Sequence, residues 1–125
     1  MWSYKIVDAD FVEREIGRMP IVDVRPPLMY DGGHIPTAVN VRLDVAMADD
    51  EPGEVLADML QNLGILPHDG VIVYCRSGLS AKIACDCLSD AGYDNLYLYV
   101  GSMNDWVRDA SRPIERTQVD LAMAS

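Results

Sequence analysis

The sequence predicts an α/β fold: a three-layer sandwich with a central, mostly parallel five-stranded sheet and helices on both faces. Three observations carry this. Short apolar and β-branched runs of strand length recur along the chain, and amphipathic stretches of helical period fall between them. One run, Val71-Ile72-Val73-Tyr74, is apolar throughout, as a strand buried on both faces requires. Strands that alternate with helices imply parallel pairing, because a parallel pair needs a crossover and a helix makes it compactly.

The elements follow in order. Strands are expected at Tyr4-Val7, Pro20-Val24, Ala38-Val41, Val71-Tyr74 and Leu96-Val100, each bounded by turn-forming residues. Asp8 is placed to cap a helix over Ala9-Arg18, with Phe11, Val12 and Ile16 on one face and Gly17 near its end. Glu54-Leu63 carries Val55, Leu56, Met59, Leu60 and Leu63 on one face and meets Gly64. Leu79-Ala91 places Ile83, Ala84, Cys87, Leu88 and Ala91 together and stops at Gly92, and Ser102-Arg108 makes a short last helix. No internal repeat is present.

With 125 residues, half of them hydrophobic, the chain is expected to form one domain over residues 1–116, followed by a featureless tail at 117–125. Twenty acidic residues against ten basic ones give a net charge of -10, which repels phosphate backbones and anionic lipid. Nucleic acid and membrane partners are therefore not expected. No apolar run approaches the roughly 20 residues of a membrane span, and the first residues lack the basic and apolar segments of a signal peptide, so the expected location is cytoplasmic. The three cysteines, Cys75, Cys85 and Cys87, are an odd count without framework spacing and read as reduced thiols. No Cys or His cluster completes a metal site.

Cys75 stands where a strand ends and a helix has not begun. Ligands of open parallel sheets bind at the carboxyl ends of strands, so this position is expected to be exposed. Unpaired N–H groups and the dipole of the following helix favour an anion there, and the thiolate is the nucleophile of cysteine chemistry. Gly78 lets the backbone curl so that several N–H groups converge on the sulfur, and Arg76 adds positive charge. Cys85 and Cys87 lie within the helix, where core packing accounts for them better than chemistry.

The loop Cys75-Arg76-Ser77-Gly78-Leu79-Ser80 resembles the active-site loop of the rhodanese family of sulfurtransferases. Two further stretches agree in family order. Ile21-Val22-Asp23-Val24-Arg25-Pro26, followed by Tyr30-Asp31-Gly32-Gly33-His34-Ile35-Pro36-Thr37-Ala38-Val39-Asn40, is similar to one family signature, and Tyr99-Val100-Gly101-Ser102-Met103-Asn104-Asp105-Trp106 is similar to its C-terminal one. The resemblance covers roughly residues 3–116, with Thr37 and Ser102 standing where the family usually has glycine.

The resemblance implies a rhodanese-like sandwich and a two-step transfer. Cys75 takes sulfane sulfur from thiosulfate or a related donor and passes the persulfide sulfur to cyanide or a thiol, with no metal or organic cofactor. It implies that the N–H groups of Arg76, Ser77, Gly78, Leu79 and Ser80 cradle the persulfide and that Arg76 binds the donor. Ser80 reads as the cap of the helix in preference to a persulfide ligand. Asp23 and Arg25 form a supporting ion pair beside the loop; His34 belongs to a structural turn and Trp106 to packing. Ser77 and Ser80 stand where some members carry lysine or arginine, which leaves the loop with less positive charge. An alternative is a persulfide relay, or a regulatory module of the same fold, acting on a partner protein. A phosphatase or arsenate reductase fits less well, because Ser80 and Ala81 occupy the positions where its oxyanion-gripping arginine would fall.

Overall fold

A computed structural model describes residues 4–117 of the chain; residues 118–125 of the expected tail lie outside the described residues. Eleven elements follow one another: β1 (Tyr4–Val7), α1 (Ala9–Glu15), β2 (Ile21–Asp23), α2 (Pro27–Gly32), β3 (Val39–Asn40), α3 (Leu43–Met47), α4 (Pro52–Asn62), β4 (Val71–Tyr74), α5 (Leu79–Asp90), β5 (Leu96–Tyr99) and α6 (Ser102–Trp106). The sheet order is β1-β5-β4-β2-β3, and the four pairings are all parallel. β4 lies at the centre.

Period-two alternation sorts the strand side chains into two cores. Val71 and Val73 of β4, with Leu96 and Leu98 of β5, pack against α3, α4 and α5 through Leu43, Leu56, Leu60, Ala84 and Leu88. Ile72, Tyr74 and Tyr99 face the other way, toward α1 and α6, and meet Val12, Met103 and Trp106. This makes the three layers. All four β4 residues are fully buried, as an apolar central strand requires. Among the described residues, no helix is long and apolar enough to cross a membrane.

The ends of elements differ from the sequence reading in instructive ways. Asp8 caps α1 as expected, its carboxylate accepting from the Phe11 N–H at 2.9 Å, but the helix stops at Glu15 and the chain turns before Arg18. Pro52 starts α4 two residues early, since proline at a first helical position brings its backbone angle already set. The paired parts of β2, β3 and β5 are shorter than their apolar runs. Helices α2 and α3 were not expected: one lies between Pro26 and Gly33, which read as turn residues, and the other is a single turn.

The buried face of α5 also needs correction. Ala81, Ala84, Cys85 and Leu88, at i, i+3, i+4 and i+7, form the buried stripe, while Ile83 is exposed and Cys87 half-buried. Cys85, not Cys87, is the thiol at the centre of the packing.

Thr37 is exposed and holds φ at +70°, the left-handed region in which a β-branched side chain is strained. Thr37→Gly is expected to stabilise the fold by about 0.5–1 kcal/mol, the relief of strain exceeding the added freedom of the unfolded chain. The measurement is a melting temperature a few degrees higher; a lower one would show that the Thr37 side chain contributes contacts that outweigh its strain.

Candidate functional site

The carboxyl ends of β2, β4 and β5, neighbours in the sheet, bring together Asp23 and Arg25, Cys75, and Ser102. Cys75 opens the turn between β4 and α5. Contrary to the exposure expected of a strand end, it is 3% exposed and lies at the floor of a pocket. Its sulfur accepts from the Gly78 N–H at 3.1 Å and the Ala81 N–H at 3.3 Å. Two backbone donors at the start of a helix thus converge on one sulfur, an arrangement that stabilises negative charge there.

The turn is held from behind. The carbonyls of Cys75 and Arg76 accept from the N–H groups of Met103 and Asn104 at 3.0 and 2.9 Å, so the first turn of α6 occupies the acceptors of the loop. Within the described residues, the N–H groups of Arg76, Ser77, Leu79 and Ser80 have no hydrogen-bond partner. Gly78 is buried against the end of β5 with φ at +98°, and a Cβ on it would stand 2.3 Å from the Val100 carbonyl oxygen. Glycine is required twice over, by angle and by space.

Of the residues named from sequence, Arg76, Ser77 and Ser80 line the pocket with Cys75, whereas Leu79 is 69% exposed outside it. Ser80 does not cap α5: Gly78 is the capping residue, and no side chain accepts from the first turn. The loop cannot present a Ser80 cap because its left-handed turn comes two residues earlier. Ala81, beyond the expected loop, supplies the second donor instead.

Asp23 and Arg25 form a buried, forked pair. Arg25 donates through Nη2 at 2.7 Å and through Nε at 3.0 and 3.1 Å, and the Arg25 N–H also reaches the Asp23 carboxylate at 2.9 Å. Nη2 reaches across to the Gly33 carbonyl at 2.7 Å, and the guanidinium lies 5.9 Å from the centre of the Tyr74 ring. Burial works against the Arg25 charge, but the bonds and charge of Asp23 prevail and hold it above the usual arginine range. Asn40 donates to the Asp23 and Arg25 carbonyls at 3.0 and 2.8 Å, which fixes the strand end that carries the pair.

Ser102 is the member of the site that sequence reasoning passed over. It is fully buried, accepts from the Cys75 N–H at 3.1 Å, and lies 2.9 Å from the Tyr99 carbonyl and 3.8 Å from the Cys75 sulfur. Its one hydroxyl proton therefore goes to the nearer acceptor, Tyr99. Its φ of +56° shows why glycine is common at the position. The sequence shows only a serine just past the end of a strand; its contact with Cys75 follows from β5 lying beside β4.

His34 stands in a closed setting. Its Nδ1 lies 2.8 Å from the Tyr30 carbonyl, its Nε2 3.3 Å from Glu115, and its ring stacks on Tyr30 at 3.8 Å. These contacts join the turn to the 113–117 segment, as a structural residue would. Trp106 is fully buried and donates from its ring N–H to the Pro113 carbonyl at 2.8 Å. All three cysteines are free thiols, and no group of side chains with metal-holding geometry occurs among the described residues. Burial, and then Asp86, push the Cys85 thiol up to about 12.

The pocket over Cys75 measures about 490 Å³ and is walled by Val24, Met29, Leu43, Met47 and Ile83 with Arg25 and Arg76. A family model described as "Rhodanese-like domain" matches residues 8–109 of the chain. The thiosulfate:glutathione sulfurtransferase of Saccharomyces cerevisiae is 39% identical over 115 residues, covering 84% of this chain and 77% of that protein. The thiosulfate sulfurtransferase of Azotobacter vinelandii is 32% identical over 112 residues, covering 78% of this chain. The chain spans 40% of the length of the Azotobacter protein and 44% of a relative from Haloferax volcanii. The solution structure of a rhodanese-like domain from Anabaena superimposes with a TM-score of 0.70 at 21% identity, covering 88% of this chain and 77% of that one.

Two outcomes follow from this geometry. Gly78→Ala forces the loop away from β5 and is expected to cost about 3 kcal/mol or more in urea unfolding, with the sulfur losing its donors; a loss below about 1 kcal/mol would mean that the turn relaxes freely. Because the folded thiol of Cys85 ionises only near 12, against about 9 when unfolded, its stabilising effect is complete below pH 9 and is lost as pH rises from 9 toward 12. Near pH 10 the loss is on the order of 1 kcal/mol. The Cys85→Val protein should lack that part of the alkaline decline, and an unchanged decline would assign it to other groups.

Proposed function

The chain belongs to the rhodanese-like domain family, and from that premise we propose that it is a sulfurtransferase. Sulfane sulfur moves from thiosulfate or a related donor, through a persulfide on Cys75, to cyanide or a thiol. The observation that carries this reading is the sulfur of Cys75 on the floor of an open pocket, held by the N–H groups of Gly78 and Ala81. In the first step the Cys75 thiolate attacks the outer sulfur of thiosulfate; a new sulfur–sulfur bond forms, the old one breaks, and sulfite leaves with the electron pair. In the second step the acceptor attacks the outer sulfur of the persulfide and Cys75 leaves as thiolate. No external oxidant or reductant enters the balance.

The residues divide the work. Arg76 binds the donor at the pocket mouth, and the unclaimed N–H groups of Arg76, Ser77, Leu79 and Ser80 are available to the added sulfur, as oxyanion-hole donors are to oxygen. Asp23 and Arg25 support the wall without touching the reacting sulfur. The unit that does this spans residues 1–116, and its free thiols fit a reducing cytoplasm.

Incubation with thiosulfate, removal of the excess and measurement of the intact mass tests the reading. The protein should gain one sulfur atom, lose it on addition of cyanide, and fail to gain it as Cys75→Ser. If Cys75→Ser still takes up the sulfur, the chemistry belongs to Cys85 or Cys87 and the site assignment is wrong.

A further inference from the structure

The Cys75 pocket does not end at its own walls. A second hollow of about 430 Å³ shares Arg25, Met29 and Arg76 with it and runs between α2, α6 and the 113–117 segment to Arg116. We propose that this hollow seats the sulfur acceptor and that it selects a small organic thiol bearing carboxylate charge, with Arg76 and Arg116 as the anion contacts. The inference rests on the persulfide reading of Cys75.

Each hollow falls within the range of about 300–1,000 Å³ typical of sites for organic ligands, far more room than a five-atom oxyanion or cyanide fills. In a chain of net charge -10, the hollow has no Asp or Glu in its wall and three arginines. Arg25 is spent on Asp23 and the Gly33 carbonyl. Arg76 and Arg116 are exposed and make no ion pair among the described residues, so their charge faces whatever enters. Such a local positive field also counters the repulsion that the acidic surface exerts on an incoming anion.

Leu28 is 87% exposed and Val107 52%, and with Met29 and Ile114 they line the same hollow. That surface suits the methylene body of an organic molecule, with arginines at its ends to orient it. Seated this way, the acceptor thiolate attacks the outer sulfur of the Cys75 persulfide. The acceptor gains a sulfur–sulfur bond, the bond to Cys75 breaks, and the electron pair returns to Cys75, while the acceptor's thiol proton is lost to solvent.

The test compares glutathione with its diethyl ester, which keeps the thiol and backbone and removes both carboxylate charges. With the persulfide loaded from thiosulfate, wild-type protein should show kcat/KM about tenfold higher for glutathione, of the size charge-assisted arginine contacts give. Arg116→Gln should bring the ratio toward one and Arg116→Lys should restore part of it. Equal rates for the two thiols, or a ratio untouched by Arg116→Gln, overturns the inference. Absence of thiosulfate loading in the wild type removes the underlying reading and this one with it; normal loading with an unselective second step removes this one alone.

Discussion

The buried pair of Asp23 and Arg25 is the interaction on which the rest of the site depends. It ties the end of β2 to the carbonyl at the end of α2 and lays a guanidinium beside Tyr74, the last residue of β4 before Cys75. A charge pair out of water is tolerable only when its bonds are nearly complete, and here the carboxylate takes four N–H contacts from one residue. Removing either partner would strand the other, at a cost of about 3–5 kcal/mol. The pocket wall, the strand end and the exit from α2 are therefore set together.

The placement of charge follows from that constraint. Most of the surface is acidic, and the basic residues that are paired serve structure: Arg112 joins Asp10 and Glu13 while lying over Trp106, and Arg42 joins Asp44. Around Cys75 the pattern reverses through one residue: Arg25 is neutralised by Asp23 and the lining Asp44 by Arg42, while Arg76 stays at the mouth with no ion pair among the described residues. An anion thus meets a molecule that repels it at a distance and attracts it at one place. Local focusing of this kind selects by approach as well as by contact.

Much of this was legible in the sequence, and the reasons are particular. Val71–Tyr74 could be read as the central strand because no polar residue interrupts it, and Asp8 because a carboxylate three residues before a free N–H is a local signal. Cys75 and Gly78 were legible because strand, turn and helix follow one another along the chain. What escaped came from elsewhere in the chain or from finer phase. Ser102 reaches Cys75 only because β5 lies beside β4, and Ala81 becomes a donor only once the left-handed turn at Gly78 sets where the helix starts. Cys85 was misplaced by about one residue of helical phase, a shift that composition cannot reveal.

The bonds from the first turn of α6 hold the carbonyls of Cys75 and Arg76 in place from behind. They make the Cys75 loop part of the scaffold, so its shape does not wait for a ligand. The entropy of ordering the cradle is met once, during folding, and is not met again when a ligand enters. What enters such a pocket meets N–H groups already held in place, a surface arranged before its ligand arrives.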